Sequence, residues 1–380
     1  MDEDIKEQVI GFEALYKSMH RCKKNVLWKD SAASFYLNGI EQALKLEKQL
    51  KEGTYKPRPP KKFEITHPKR REAVSIAFRD RVYQRSLNDN VIYPIMTQSF
   101  INANMACQKG KGTDAAENLL DEFLKHWYRL HGLEGYVLQC DIRGYYPNMS
   151  HKVAEETFRK KLPPVIYEMT EKILREQYEG EKGYNPGSQM IQIAGISVLD
   201  PMDHMIKEQL HTKEFERYMD DFQMFGETIE ELQCRRNAIE AYLNEREFEL
   251  HPKKTRIYPI KEGIKFLGFT HRLTSTGKVI RIIDPNNVKQ ERKKLRRMVG
   301  LVKKGQMTRK KVDECFKAWK AHAAKGNSTK LINRMNEYYA DLWKEDQKHE
   351  HDHDQKKENC ERTEGKGRHA GTAGEAAGDT

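Results

Sequence analysis

The sequence predicts an α+β protein, and three observations carry that prediction. Apolar residues fall at helical spacing through the first 56 residues and again over 79–96, 114–131 and 150–180. Two short apolar runs that meet carboxylates, 136–141 and 216–225, read as strands set among those helices. A strongly basic stretch, 285–345, carries 17 Lys and Arg against 6 Asp and Glu, an excess equal to the net charge of the whole chain, +11. The positive field is therefore concentrated at one end.

Each element has its own signal. In the first 56 residues Phe35, Leu37, Ile40, Leu44, Leu46 and Leu50 fall near helical spacing, and Pro57, Pro59 and Pro60 stop the pattern because proline cannot donate to a helix. Residues 61–76 alternate basic and apolar residues as a short hairpin does. The segment 114–131 puts Leu119, Leu120, Phe123 and Leu124 on one face. Residues 136–141 read as a buried strand ending on Asp141. A Gly- and Pro-rich turn covers 182–189, and 190–210 reads as one long, largely apolar helix. Residues 216–225 form a hairpin with Tyr218, Met219, Asp220 and Asp221 at its tip. An amphipathic helix follows over 229–246, then short strands over 264–269 and 278–283. From about Lys348 the chain loses apolar residues and reads as a disordered tail.

Composition narrows the function classes. With 380 residues and 37% hydrophobic content, a large multi-subdomain core can be buried. The 68 Lys and Arg outnumber the 57 Asp and Glu. That balance suggests a polyanion such as nucleic acid, with a merely soluble basic protein as the alternative. Six cysteines without a CxxC pair argue against a zinc ribbon and a disulfide framework, and they fit a reducing cytoplasm. The acidic N-terminus lacks a signal-peptide apolar run, and nothing approaches the roughly 18 apolar residues of a membrane helix. The expectation is a soluble, cytoplasmic protein with no membrane partner.

The acids carry the chemistry. Nucleotidyl transfer needs positioning and charge neutralisation, which two divalent ions about 4 Å apart supply. Hard ions such as Mg²⁺ take carboxylate oxygens. One acid at a strand end, Asp141, and two on a neighbouring hairpin, Asp220 and Asp221, form an economical set. Adjacent acids at an apolar tip repel unless a cation compensates. Read singly, each is also an ordinary turn residue.

At this point the residues resemble a known family. Tyr218, Met219, Asp220 and Asp221 match the YxDD box of reverse transcriptases. Gln139 to Tyr146 (QCDIRGYY) resembles the first catalytic-Asp motif of the bacterial enzymes. Phe78 to Leu87 (FRDRVYQRSL) resembles their fingers motif, and Gln108 to Ala116 (QKGKGTDAA) their RKGKGTxxA segment. Asn244 to Ile257, ending PKKTRI, with Lys265 to Phe269 (KFLGF), resembles the palm end and primer grip. Five boxes stand in order over about residues 55–345.

The resemblance implies a right-hand polymerase with helix-rich fingers, an antiparallel-sheet palm and a basic helical thumb. It implies a division into an N-terminal helical extension (1–56), fingers and palm (57–284), thumb (285–347) and disordered tail (348–380). It implies two Mg²⁺ or Mn²⁺ ions held by Asp141, Ile142, Asp220 and Asp221, the three aspartates being catalytic. Tyr146 becomes a steric gate that fills the space of a 2′-hydroxyl, or else an aromatic of the palm core. Arg71 and Arg79 would face the triphosphate, although Arg79 can instead pair with Asp80 or another acid. Lys254 lies near the leaving pyrophosphate or is a solvated surface lysine. Gly187 and Gln192 would touch nucleotide. Lys109, Lys111, Tyr218, Met219, Leu267 and Gly268 would touch template and primer, Gly268 allowing close backbone approach.

One box departs from the pattern. Group II intron enzymes carry PQG at the fourth motif, and many other bacterial enzymes carry something like GNxTSQ. Here the segment is Pro186, Gly187, Ser188, Gln189, Met190, Ile191, Gln192, with Met190 and Ile191 replacing the Thr-Ser pair. Template or nucleotide contacts at this motif are thereby altered. In the basic segment, Trp319, Tyr338, Tyr339 and Trp343 are interleaved with charges that would grip a nucleic-acid backbone without reading sequence. They serve equally as the core of a small bundle. In the tail, His349, His351 and His353 alternate with acids, as a metal site or as solvated chain.

The implied activity is RNA-directed DNA synthesis from dNTPs on an RNA template, with a DNA or RNA primer. An accessory protein or structured non-coding RNA is a further possible partner. The shortness of the chain and the missing PQG argue against an intron-encoded enzyme. They leave diversity-generating retroelement, retron-like and phage-defence enzymes of a bacterium or its phage. The rival readings are an RNA polymerase or untemplated transferase on the same palm, and a non-catalytic RNA-binding helper.

Overall fold

The structure is a computed structural model that describes residues 2–66 and 70–344. The chain forms two compact units. One takes the chain up to Ile264 together with Leu273–Lys278; the other takes Lys265–Arg272 and the described chain from Val279 on.

The first unit begins with four helices, α1 (Asp2–Ile10), α2 (Phe12–Cys22), α3 (Asp30–Leu37) and α4 (Gly39–Lys51). α2 buries Leu15, Met19 and Cys22, spaced four and three apart, on one stripe. Phe35 and Leu46 are buried as their spacing suggests, but Leu37, Ile40 and Leu44 are exposed. The reason is a break at Asn38 and Gly39, which ends one helical phase and starts another. Gly39 lets the end of the Met19 side chain pack close, since a Cβ would stand 2.6 Å from Met19 Cε.

Strands β1 (Lys61–Ile65) and β2 (Arg71–Ser75) form the expected hairpin, pairing Lys61 with Ser75 and Ile65 with Arg71. α5 (Phe78–Leu87) continues through a π-helical turn, Asn88–Ile92, into α6 (Tyr93–Met96). Pro94 has no N–H to continue the ladder, and the π-helical turn lies directly before it. α7 (Thr113–His131) buries Leu120 and Leu124, with Leu119 and Phe123 half-buried. α8 (Tyr145–Asn148), α9 (His151–Lys161) and α10 (Pro164–Gln177) follow. The region read as one helix over 190–210 is instead α11 (Gln189–Val198), α12 (Asp200–His204) and a π-helical turn, Met205–Gln209. Pro201 cannot donate into the preceding turn, so the helix is broken at Leu199.

A four-stranded antiparallel sheet holds the middle of this unit. It comprises β3 (Tyr136–Asp141), β4 (Phe215–Tyr218), β5 (Asp221–Gly226) and β6 (Arg256–Pro259), in the order β4-β5-β3-β6. β6 carries no strand signal in the sequence, being four residues that begin on Arg256 and end on Pro259. α13 (Ile229–Asn244) packs on β3, β5 and β6. Its N-terminus is fixed by Thr228, whose hydroxyl accepts from the Glu231 amide at 3.2 Å.

A second sheet runs β7 (Ile264–Phe266), β8 (Phe269–Leu273) and β9 (Val279–Ile283) in that order, and all of its residues but Ile264 and Leu273 belong to the second unit. Residues 264–269 are therefore not one strand. Leu267 and Gly268 both take left-handed backbone, φ 45° and 98°, and turn the chain between β7 and β8. Three helices follow: α14 (Pro285–Lys303), α15 (Arg309–Ala323) and α16 (329–344). Asp284 caps α14, accepting from the Asn286 amide at 2.8 Å. Leu295, Met298, Val312, Phe316, Trp319 and Met335 form the core, with Tyr338, Tyr339 and Trp343 packed against it. The aromatics thus take the core alternative. Basic side chains remain outside: Lys289, Arg292, Lys293 and Arg296 line a groove of about 260 Å³ beside Tyr338.

The five described cysteines are free thiols. Among the described residues no helix is long and apolar enough to cross a membrane. His349, His351 and His353 lie outside the described residues.

Candidate active site

The register of the central sheet brings the acids together. Asp141 is the last residue of β3 and stands opposite Asp221, the first of β5, while Tyr218 of β4 pairs with Asp221 from the other side. Met219 and Asp220 make the two-residue tip, and Met219 takes left-handed backbone, φ 62°. On the same face the next row down is polar. Gln223 Nε2 donates to Glu216 Oε1 at 2.5 Å, Gln139 Nε2 to Gln223 Oε1 at 3.3 Å, and the Tyr258 hydroxyl to Gln139 Oε1 at 2.6 Å.

Lys254 arrives by a separate route. Beyond Asp141 the chain pairs antiparallel, Ile142 with Leu250, and the His251 amide donates to the Asp141 carbonyl at 2.7 Å. A turn closed by the Lys254 and Thr255 amides on the His251 carbonyl then lays Lys254 Nζ 2.7 Å from Asp141 Oδ1. Ile142 itself is buried, and the bridge to Leu250 is made by the residues on either side of it, the Arg143 amide donating to the Glu249 carbonyl at 2.9 Å.

The electrostatics follow. Burial raises the Asp221 carboxyl first; the Asp220 charge, and then a hydrogen bond and the charge of Asp141, add to it. Lys254 pulls the other way, leaving Asp221 at about 7. Asp220 is also raised, by burial and by Asp141, against a hydrogen bond from its own amide. Burial depresses Lys254, but its hydrogen bond to Asp141 and the charges of all three acids outweigh that, and the net shift is upward. The donor set suits a hard divalent cation, since it offers carboxylate oxygens whose mutual repulsion an ion would relieve. As placed, however, the side chains are not drawn around a point: among the described residues no group of three or more His, Cys, Asp or Glu is arranged to hold an ion.

Tyr146 stands beside this set. Its ring meets Tyr145 edge-on at 5.4 Å, and its buried hydroxyl has no hydrogen-bond partner. Gly195 makes room for it, since a Cβ there would lie 2.7 Å from that hydroxyl. Gln192 Nε2 donates to the Pro186 carbonyl at 3.3 Å, and Cys107 Sγ lies 3.8 Å from Gln192 Oε1 and 3.6 Å from Met219 Sδ. Cys107, Gln192 and the hairpin tip are thus neighbours. Gly187 precedes α11 and approaches β2 closely, as a Cβ would stand 3.0 Å from the Val74 carbonyl oxygen.

Other expected contacts lie elsewhere or are already used. Arg71 stands in β2 opposite Ile65; its side chain is outside the described part of the structure. Arg79 takes its alternative role: Nε donates to Asp80 at 3.1 Å, Nη1 to Gln49 at 3.3 Å and Nη2 to the Lys56 carbonyl, with the guanidinium over Tyr55. Buried Asp80 needs that partner. Lys111 donates to the carbonyls of Asn102 and Asn104, both at 2.9 Å, so it secures its own loop. The Lys109 amide donates to the Tyr93 hydroxyl at 2.6 Å, while its ammonium lies over the Tyr93 ring. Leu267 and Gly268 belong to the second unit, where a Cβ on Gly268 would meet His322 Nε2 at 3.5 Å.

Sequence reasoning missed Cys107, Gly195 and the fully buried Arg217, which pairs with Asp203. Arg217 stands between Glu216 and Tyr218 in the sequence, so nothing along the chain marked it as buried.

Three comparisons bear on this site. A family model described as reverse transcriptase (RNA-dependent DNA polymerase) matches residues 61–271, more than half of the chain. A search of curated protein sequences returns no match. Among solved structures, a Candida albicans telomerase in complex with a TWJ fragment of telomeric RNA is similar at 12% identity and TM-score 0.45, covering 70% of this chain and 55% of that one. An apo telomerase of Candida tropicalis truncated from its C-terminal domain is similar at 12% identity and TM-score 0.43, covering 64% of this chain and 60% of that one. The chain therefore spans less than two thirds of either telomerase chain. On the family match, which takes in the sheet and all three of its acids, the chain belongs to the reverse transcriptase (RNA-dependent DNA polymerase) family.

Proposed function

We propose that the chain is an RNA-directed DNA polymerase that extends a DNA or RNA primer with dNTPs on an RNA template. The observation that carries this reading is the register pair Asp141 and Asp221, with Asp220 at the adjoining tip. The family match over the same residues supports it.

Asp141, Asp220 and Asp221 would hold two Mg²⁺ or Mn²⁺ ions. Such ions, when bound, activate the attacking oxygen and neutralise the leaving one. The chain's own residues do the rest. The primer 3′-oxygen bonds to the α-phosphorus of the dNTP as the bond to pyrophosphate breaks. Lys254 puts a positive charge beside Asp141, where charge on the leaving pyrophosphate develops. Tyr146, held between Tyr145 and Gly195, closes the space a 2′-hydroxyl would need. Gln192 and Gly187 flank the nucleotide; Tyr218 and Met219 touch the primer end, and Leu267 and Gly268 are the primer-grip residues of the second unit. The basic groove beside Tyr338 grips the template–primer backbone. Met190 and Ile191 are buried core of α11, so the altered fourth motif changes packing rather than adding polar contacts. That departure from the intron-type motif supports a place among bacterial or phage retroelement and defence enzymes.

The test is primer extension on a primed RNA template with Mg²⁺ or Mn²⁺, comparing the wild type with the Asp220→Asn, Asp221→Asn double variant. Extension with dNTPs by the wild type alone is expected. Extension with NTPs in preference would make it an RNA polymerase. Tight RNA binding without extension would leave two readings, a binding module or an enzyme that requires its own RNA or protein partner.

A further inference from the structure

Among the described residues Arg217 is the largest fully buried side chain, and its partner Asp203 is equally buried. Arg217 lies in β4 one residue before Tyr218, and Asp203 lies in α12. The pair is bidentate: Nε donates to Asp203 Oδ1 at 2.7 Å and Nη2 to Oδ2 at 2.5 Å. Desolvating two charges is costly, and apolar side chains of similar volume commonly serve stability as well or better. Stability alone therefore does not account for the pair.

The remaining donors show what else it does. Nη2 also donates to the Ile196 carbonyl of α11 at 3.0 Å, and Nη1 donates to the Met219 carbonyl at 2.9 Å. That carbonyl belongs to the Met219–Asp220 peptide. The peptide that leads into Asp220 is thus gripped on its oxygen by Arg217. Met219 is in left-handed backbone, which a side chain with a Cβ adopts only when its surroundings impose it. The Arg217 main chain is anchored as well, its amide donating to the Ala103 carbonyl at 3.0 Å and its carbonyl accepting from the Met105 amide at 2.9 Å.

We propose that the Arg217–Asp203 pair is a positioning device for the catalytic hairpin, setting the Asp220 carboxylate through the Met219–Asp220 peptide. The inference rests on Asp220 being catalytic, as argued above. Lysine at 217 would keep one charge, but a single ammonium cannot span Asp203, Ile196 and Met219.

The experiment compares full-length wild type, Arg217→Lys, Asp203→Asn and Asp220→Asn. It measures thermal melting, primer–template affinity, kcat, KM for dNTP and the Mg²⁺ concentration for half-maximal rate. Arg217→Lys and Asp203→Asn are expected to bind primer–template as the wild type does, with KM for dNTP little changed. Their kcat should fall roughly 10–100-fold and their Mg²⁺ requirement should rise several-fold, the usual effect of losing a residue that orients a metal ligand. Should neither fold, Asp203→Glu, which keeps the charge but displaces the fork, is expected to show the same signature. Wild-type kcat and Mg²⁺ requirement in Arg217→Lys, with Asp220→Asn inactive, would overturn the inference and leave the polymerase reading intact. A lower melting temperature at unchanged Mg²⁺ requirement would equally overturn it, reducing the pair to a structural one. An active Asp220→Asn would instead sink the reading on which it rests.

Discussion

Lys254 holds its ammonium 2.7 Å from Asp141 Oδ1, although 113 positions separate them in the chain. It is the cation placed against the three acids, and it is half exposed. Its partner Asp141 is buried, so Lys254→Met leaves a carboxylate without its cation and should lower the melting temperature of the metal-free protein, a loss that added Mg²⁺ should offset. Extension should nevertheless fall by about tenfold or more, because the variant loses the charge beside the leaving group. Parallel melting and steady-state kinetics test the split; a variant as active as the wild type would make Lys254 a surface lysine.

Asp221, raised to about 7, links metal binding to pH. The carboxylate must be deprotonated to bind a cation, so Mg²⁺ affinity should rise with pH and level off above about neutrality. Binding near pH 6.5 should release on the order of one proton. Calorimetry in buffers of different ionisation enthalpy reads that release, and Asp221→Asn should remove it. In the metal-free protein the raised value means that the folded state holds a proton the unfolded state has lost. Stability therefore falls as pH rises from the ordinary carboxylate range through about 7, and Asp221→Asn should melt higher than wild type at pH 8 while being inactive.

Tyr146 separates two effects of one side chain. Its buried hydroxyl has no partner, so Tyr146→Phe should change stability by less than about 1 kcal/mol and keep dNTP selectivity. Tyr146→Ala should open the space beside Gly195 and raise the NTP-to-dNTP ratio of kcat/KM at least tenfold, about 1.4 kcal/mol of discrimination. Unchanged selectivity in the alanine variant would leave Tyr146 as palm core only.

Glu216 is fully buried one row below the catalytic acids. Burial is the main cause that lifts its carboxyl to about 8, with Asp121 adding to it and the Gln223 hydrogen bond opposing. Because the folded value exceeds the unfolded one, the folded state binds an extra proton between about 4.5 and 8, and stability falls as pH rises through that window. Glu216→Gln keeps an acceptor for Gln223 and cannot ionise. It should melt close to the wild type at pH 5 and several degrees above it at pH 9, as scanning fluorimetry would show.

Local signals in the sequence were enough for the α+β class, the strand ending on Asp141, the hairpin around Asp220 and Asp221, and the basic character of the last segment, whose helices only the family resemblance implied. Each depends on periodicity or on a box of adjacent residues, which neighbours along the chain determine. The same signals failed where a break in helical phase was silent. Asn38 with Gly39 exposed Leu37, Ile40 and Leu44, and Leu199 with Pro201 divided a helix that composition alone made continuous.

The tertiary structure decided what distant residues do to one another. Asp141 faces Asp221 because β3 pairs with β5 in one register, and a slip of one residue would send every side chain to the opposite face. Arg79 and Lys111, cations that suit phosphate, are spent on Asp80 and on loop carbonyls because buried polar groups nearby need partners. Arg217 reaches Asp203, Ile196 and Met219 only once α11, α12 and β4 have packed. The chemistry of this chain is written in adjacent residues, whereas the orientation of that chemistry depends on hydrogen bonds between segments that no pattern along the sequence brings together.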